Sequence, residues 1–192
     1  SRWEYEWKKE AQKIVINPIL GQDGSEIQAI TVNGEPLEIV GENAYYTISQ
    51  NGNYEIEVKD NQGNIAKKIY RVDKLDTEKP KVQITTNSTN SSNPEVIFTV
   101  TAEEQGESGL TDYLLIRRSG DEEGIWFTIS ADTRYENTGE LFWSEGFEKD
   151  VSGKQIVAGT QFIFSEEGSY TLYAKAVDMA GNESEVASYT AY

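Results

Sequence analysis

The sequence predicts an all-β protein built as two tandem antiparallel β-sandwiches, and three observations carry that expectation. Apolar and polar residues alternate with period two through most segments, Gly- and Asn-rich turns separate those segments, and one pattern of four blocks occurs twice in the same order. A repeat that keeps its order over four blocks marks duplication of a whole folding unit rather than a shared local motif.

The elements follow in chain order. At the N-terminus Trp3, Tyr5 and Trp7 fit one face of a strand better than Trp3, Trp7 and Ala11 fit a helix stripe. The next blocks are "KIVINPIL" from Lys13 and "SEIQAITVNG" from Ser25, followed by a strand in which Tyr54, Ile56 and Val58 share one face and Glu55, Glu57 and Lys59 the other. That strand ends in "DNQGN". In the second copy "EVIFTVTA" from Glu95 places Val96, Phe98, Val100 and Ala102 on one stripe, and "SGLTDYLLIRRSG" from Ser108 follows it. The closing block is "EEGSYTLYAKAVDMAGN". Ile48-Ser49, Gly52-Asn53-Tyr54 and the trio Asp60, Gly63, Asn64 correspond to Phe164-Ser165, Gly168-Ser169-Tyr170 and the trio Asp178, Gly181, Asn182.

Between the copies lies "RVDKLDTEKPKVQI", where charged residues end a strand and Pro80 cannot continue its ladder. The predicted domains are therefore residues 1–76 and 77–192. Ser25 and Tyr54 are 29 positions apart and Ser108 and Tyr170 are 62 apart, so about 33 residues are inserted in the second domain, within about 117–160.

Composition narrows the chemistry. The net charge of −16, from 33 acids against 17 bases, opposes binding to nucleic acid or an anionic lipid face. The absence of Cys and His removes thiol nucleophiles, His-based triads, zinc sites with sulfur or nitrogen ligands, and disulfides. No stretch reaches the roughly 20 apolar residues of a membrane-spanning helix. "SRWEYEWKKE" is not a signal peptide and carries no initiator Met, so the chain is expected to be a piece of a longer protein.

The segments "ITVNGEPLEI", "YTISQNGNYEIEVKDNQGNIAKKIYRVDKLDTEKP" and "YTLYAKAVDMAGNESE" resemble the bacterial immunoglobulin-like repeats found in tandem on Gram-positive cell-surface proteins. The resemblance covers nearly all of the first domain and both ends of the second; the insertion departs from it. It implies two immunoglobulin-like domains at the bacterial cell surface or cell wall, next to further domains of the same chain. It also implies a non-catalytic spacer or adhesive role, with a host or cell-wall protein or glycan as partner. The same family includes glycan-binding accessory modules of secreted carbohydrate-active enzymes, which is the alternative reading. Some of its members carry a Lys-to-Asn isopeptide bond, but no motif here selects a pair.

Several residue sets are candidate sites. Asp60, Gly63 and Asn64, with Asp178, Gly181 and Asn182, offer oxygen ligands of the type calcium takes. However, Gly at the fourth position does not match an EF-hand loop, whose Gly is sixth. The structural reading is a hairpin turn with the Asp bonding backbone N–H groups and Gly at positive φ. Calcium is thus kept only as a subordinate possibility, there or at the linker acids Asp73, Asp76 and Glu78, and a solvated hinge is the preferred reading of the linker. No other cofactor or metal is implied. Glu140, Glu145 and Glu148 are the acids a glycosidase pair would draw on, but nothing in the sequence singles them out and no catalytic residue is assigned. Within the insertion Trp126, Tyr135 and Trp143 are the candidate ligand-binding aromatics, against the plainer reading of aromatics that fill a sandwich edge. The N-x-S/T triplets of "TTNSTNSSNP" match a glycosylation acceptor in form only.

Overall fold

The computed structural model describes residues 6–21, 24–86, 96–120, 122–131, 134–137, 148–149, 159–164 and 169–191. Among them every regular element is a β-strand. The chain divides between Thr77 and Glu78 into two compact units.

The first unit contains β1 (Gln12–Ile16), β2 (Ile27–Val32), β3 (Glu35–Pro36), β4 (Ala44–Ile48), β5 (Gly52–Asp60) and β6 (Ile65–Val72). They form a four-stranded sheet in the order β3-β2-β5-β6 and a two-stranded sheet, β1-β4, all antiparallel. The β2–β3 hairpin turns on Asn33-Gly34, whose φ angles of 49° and 82° are the paired positive values that a two-residue turn needs to follow the twist of its strands. The Asn33 side chain accepts the N–H of Glu55, tying this turn to β5. Ile16, Ile30, Val32, Ala44, Ile48, Tyr54 and Leu75 make the core. The Trp3–Tyr5–Trp7 strand predicted at the N-terminus lies mostly outside the described residues; within them, Lys8 alone forms a bridge before β1 begins.

Tyr54 heads β5 with its ring packed on Tyr46 in the core and its hydroxyl donating to the carbonyl of Gln50, four residues back. An apolar body and a bonded polar tip let a large side chain be buried without an unsatisfied group. Burial, with Tyr46 adding to it, pushes the Tyr54 phenol above its ordinary value, partly offset by the bond to Gln50.

The second unit contains β7 (Lys81–Thr86), β8 (Val96–Glu103), β9 (Leu110–Arg118), β10 (Phe127–Ser130), β11 (Arg134–Asn137), β12 (Glu148–Lys149), β13 (Thr160–Phe164), β14 (Tyr170–Asp178) and β15 (Ala187–Ala191). Its sheets run β10-β9-β14-β15 and β12-β11-β13-β8-β7. The pairing β2-β5-β6 of the first unit recurs as β9-β14-β15, and β1–β4 recurs as β8–β13, so the two copies in the sequence are two copies of one sandwich. The core stacks Phe164 on Tyr170 at 4.2 Å and sets Phe98 edge-on to Phe164 at 5.6 Å.

The insertion contributes β10, β11 and β12. β10 extends the sheet at β9, where β3 sits against β2 in the first unit. β11 departs from the antiparallel expectation, since it pairs parallel with β13. Residues 138–159 separate those two strands, and a parallel pair requires a connection of about a dozen residues or more.

Gly159, just before β13, has φ of 68°, and a Cβ there would meet the Val100 carbonyl oxygen at 2.6 Å. Gly124 has φ of 88° with nothing within 4 Å. Both Gly→Ala variants are expected to cost about 1–2 kcal/mol for the left-handed backbone, with a further loss at Gly159 alone from the clash. Chemical denaturation of the two variants checks this, and equal costs would contradict the close approach of β13 to β8.

Candidate functional site

Each Asp-x-x-Gly-Asn stretch closes the last hairpin of its unit. In the first, Asp60 Oδ1 accepts the N–H of Gln62 at 2.9 Å and of Asn64 at 2.8 Å, and Oδ2 accepts the Asn64 side-chain amide at 2.8 Å. In the second, Asp178 Oδ1 accepts the N–H of Ala180 at 3.0 Å and of Asn182 at 2.8 Å, and Oδ2 accepts the Asn182 amide at 2.9 Å. Gly63 and Gly181 turn the chain at φ of 86° and 92°. The Asp N–H donates to the Asn carbonyl at 3.0 Å in both copies.

The junction with the neighbouring strand is duplicated as well. Asp60 pairs with Ile27 and Asp178 with Leu110, each across a break in register. The next residue then donates to the far strand, Asn61 to Glu26 at 2.9 Å and Met179 to Gly109 at 2.8 Å. Asp60 and Asp178 are both buried. Their oxygens are filled by N–H donors, the wrong polarity for a metal shell, and each partner Asn presents its amide nitrogen rather than its oxygen to the carboxylate. The turn at Asp60 therefore does not fit calcium, which requires six to eight oxygen ligands.

The Asn64 side-chain amide, joined by the backbone N–H groups of Asn64, Gln62 and Gly63, holds the Asp60 carboxyl below the usual carboxylate range against the opposing effect of burial.

The linker acids separate. Asp73 and Glu78 are exposed, whereas Asp76 is 3% exposed and its N–H donates to the Lys8 carbonyl at 2.8 Å. The solvated-hinge reading is thus corrected at Asp76, which is buried and bonded through its N–H to Lys8. Sequence reasoning also passed over Glu104. Its Oε1 accepts the N–H groups of Gln105 and Gly106, both at 3.0 Å, while Oε2 is buried with no hydrogen-bond partner. A carboxylate oxygen of Glu104 lies within 4.8 Å of one of Asp178, so two like charges repel near the second turn.

Of the candidate aromatics, Trp126 is half-buried, Tyr135 is placed by its backbone on β11, and Trp143 lies outside the described residues. Lys175 Nζ is 4.3 Å from the centre of the Trp126 ring and the Arg117 guanidinium is 5.7 Å from it. Arg117 also stacks on Tyr173 at 3.9 Å, and Lys175 pairs with Glu183 at 3.4 Å. Arg117, Tyr173 and Lys175 alternate with the core residues Ile116, Leu172 and Ala174, so this cluster sits on the sheet's outer face rather than in the core. The structure therefore brings Trp126 to two cations and does not show it beside Tyr135 or Trp143. Glu140 and Glu145 are outside the described residues, and Glu148 is placed by its backbone on β12.

A cavity of about 450 Å³ opens between β8, β9, β13 and β14 of the second unit. Small aliphatic side chains line much of it, Asp112 is the one carboxylate among the described residues of its wall, and the Thr111 hydroxyl is already within 2.9 Å of the Val177 carbonyl.

No protein-family profile and no curated protein matches the chain. Among solved structures the chain is similar to the fibronectin(III)-like modules of Clostridium thermocellum CbhA, at 14% identity over 96% of this chain and 87% of that one, with a TM-score of 0.35. A likeness this loose carries no functional argument.

Two outcomes follow from the carboxylates. Because the Asp60 value is lowered by folding, its stabilisation is present above the ordinary Asp value of about 4 and is lost as pH falls through the lower folded value. Acid titration of the first unit is expected to show a stability loss in that window that Asp60→Asn reduces; identical acid profiles would contradict the turn bonds. Glu104→Gln keeps Oε1 as acceptor and removes the repulsion with Asp178. In chelator-containing buffer it is expected to stabilise the second unit by up to about 1 kcal/mol, whereas a lower melting temperature would contradict the repulsion.

Proposed function

We propose that the chain is a pair of non-catalytic spacer or ligand-presenting modules of an extracellular protein at the bacterial cell surface or cell wall. The observation that carries this reading is that the one motif used twice, Asp-x-x-Gly-Asn, bonds its carboxylate to backbone and amide N–H groups of its own turn in both copies. Among the described residues, the cavity between β8, β9, β13 and β14 has Asp112 as its carboxylate, where glycoside hydrolysis needs two on opposite sides of the bond. Each unit instead has a contiguous core and a closed turn without any disulfide, as suits a module whose task is to hold length and position.

Its partners under this reading are neighbouring domains of the same protein and a host or cell-wall protein or glycan. One observation favours the alternative of a glycan-binding accessory module. Trp126 and Tyr173 lie on the outer face of a sheet beside Arg117 and Lys175, a combination that also stacks on and hydrogen-bonds to sugars.

A glycan-array screen of the wild-type chain beside Trp126→Ala separates the two. The spacer reading expects no glycan bound by the wild type. Specific binding that Trp126→Ala abolishes would overturn it in favour of the accessory module.

A further inference from the structure

We infer that the first unit bears tension, and that a shear clamp centred on Leu75 sets the force at which it opens. The inference rests on the spacer reading, because a spacer between an anchor and a partner is pulled through the two places where the chain enters and leaves each unit.

In the first unit the first and last described segments are bonded to each other. The Lys8 N–H donates to the Lys74 carbonyl at 2.9 Å, and the Asp76 N–H donates to the Lys8 carbonyl at 2.8 Å, which makes Lys8 and Leu75 a parallel bridge. Parallel direction decides the mechanics. Tension draws Lys8 back toward the N-terminus and Leu75 forward toward the C-terminus, so the two segments are pushed past each other along their common axis. The bonds between them are perpendicular to that motion and must fail together. In an antiparallel hairpin pulled at its open end the bonds break one pair at a time.

Leu75 is held from a second side. The Asn51 side chain donates from Nδ2 to the Leu75 carbonyl at 2.9 Å and accepts the Leu75 N–H on Oδ1 at 2.8 Å, copying a strand partner with one amide group. The Leu75 side chain is 3% exposed, in the core with Ile48 and Tyr54. Pulling Leu75 forward therefore shears the bridge to Lys8, breaks both bonds to Asn51 and extracts an apolar side chain at once. Because Lys8 precedes β1 and Leu75 follows β6, this clamp takes the load before any described sheet of the unit does.

The chain has no Cys, so pairs of attachment points can be introduced without competing thiols. Single-molecule force spectroscopy on the full chain would use handles at Glu6→Cys and Thr77→Cys, which load the clamp. A second pair at Asn53→Cys and Arg71→Cys would unzip the antiparallel β5–β6 ladder from its open end. The clamp geometry is expected to rupture at a severalfold higher force. Asn51→Ala deletes two of the four hydrogen bonds described above and is expected to lower that force by about half, leaving the unzipping force unchanged. Asn51→Asp keeps the shape and the acceptor, loses the donor, and should fall between. Equal forces in the two geometries, or an Asn51→Ala effect of the same size in both, would overturn the clamp. Its failure is distinguishable from failure of the spacer reading, since glycan binding lost in Trp126→Ala does not depend on Asn51.

Discussion

A buried carboxylate that accepts the N–H groups two and four residues ahead of it is the constraint on which each unit depends. A tight turn after a long strand leaves several backbone donors facing inward with no strand to receive them, and an unpaired buried donor costs on the order of 1–3 kcal/mol. Asp60 and Asp178 collect those donors, Asn64 and Asn182 close the far side, and a Gly takes the left-handed backbone between them. The turn is thereby fixed to the end of β5 and of β14, the strands that also carry Tyr54 and Tyr170 into the two cores.

The geometry of the closing hairpin then spreads outward. A break in register next to each Asp lets the following residue donate to the preceding strand, so the turn locks three strands rather than two. What differs between the copies is the segment between β9 and β13. In the first unit the middle of the fold is spanned by the short hairpin at Asn33-Gly34; in the second, β10 to β12 widen both sheets. A sandwich tolerates such growth because added strands extend sheet edges and leave the central pairing of β9 with β14 intact.

Much of the fold was legible because the signals are local. Tyr54, Ile56 and Val58 alternate with charged residues, and such period-two patterns have one structural solution. The repeat and the position of the insertion came from matching Asp60, Gly63 and Asn64 to Asp178, Gly181 and Asn182. Other features depend on residues distant in sequence. The parallel pairing of β11 with β13 is set by a connection whose path no periodicity reports. Asp76 is buried, and its N–H bonds to the carbonyl of Lys8, 68 positions earlier. Glu104 looks like one more acid among 33 until the fold carries it to Asp178. Trp126 was visible as an aromatic in a polar segment, but its two cations come from β9 and β14, so its engagement could not be read from its neighbours in sequence.

The duplicated acidic motif is a joint of the fold. Native-state hydrogen exchange at the Gln62, Asn64, Ala180 and Asn182 amides tests it most directly, because these are the groups the carboxylates receive. These amides are expected to exchange only through global unfolding of their own unit, as slowly as core strand amides. Fast exchange typical of an open loop, or protection that appears only on adding calcium, would contradict it.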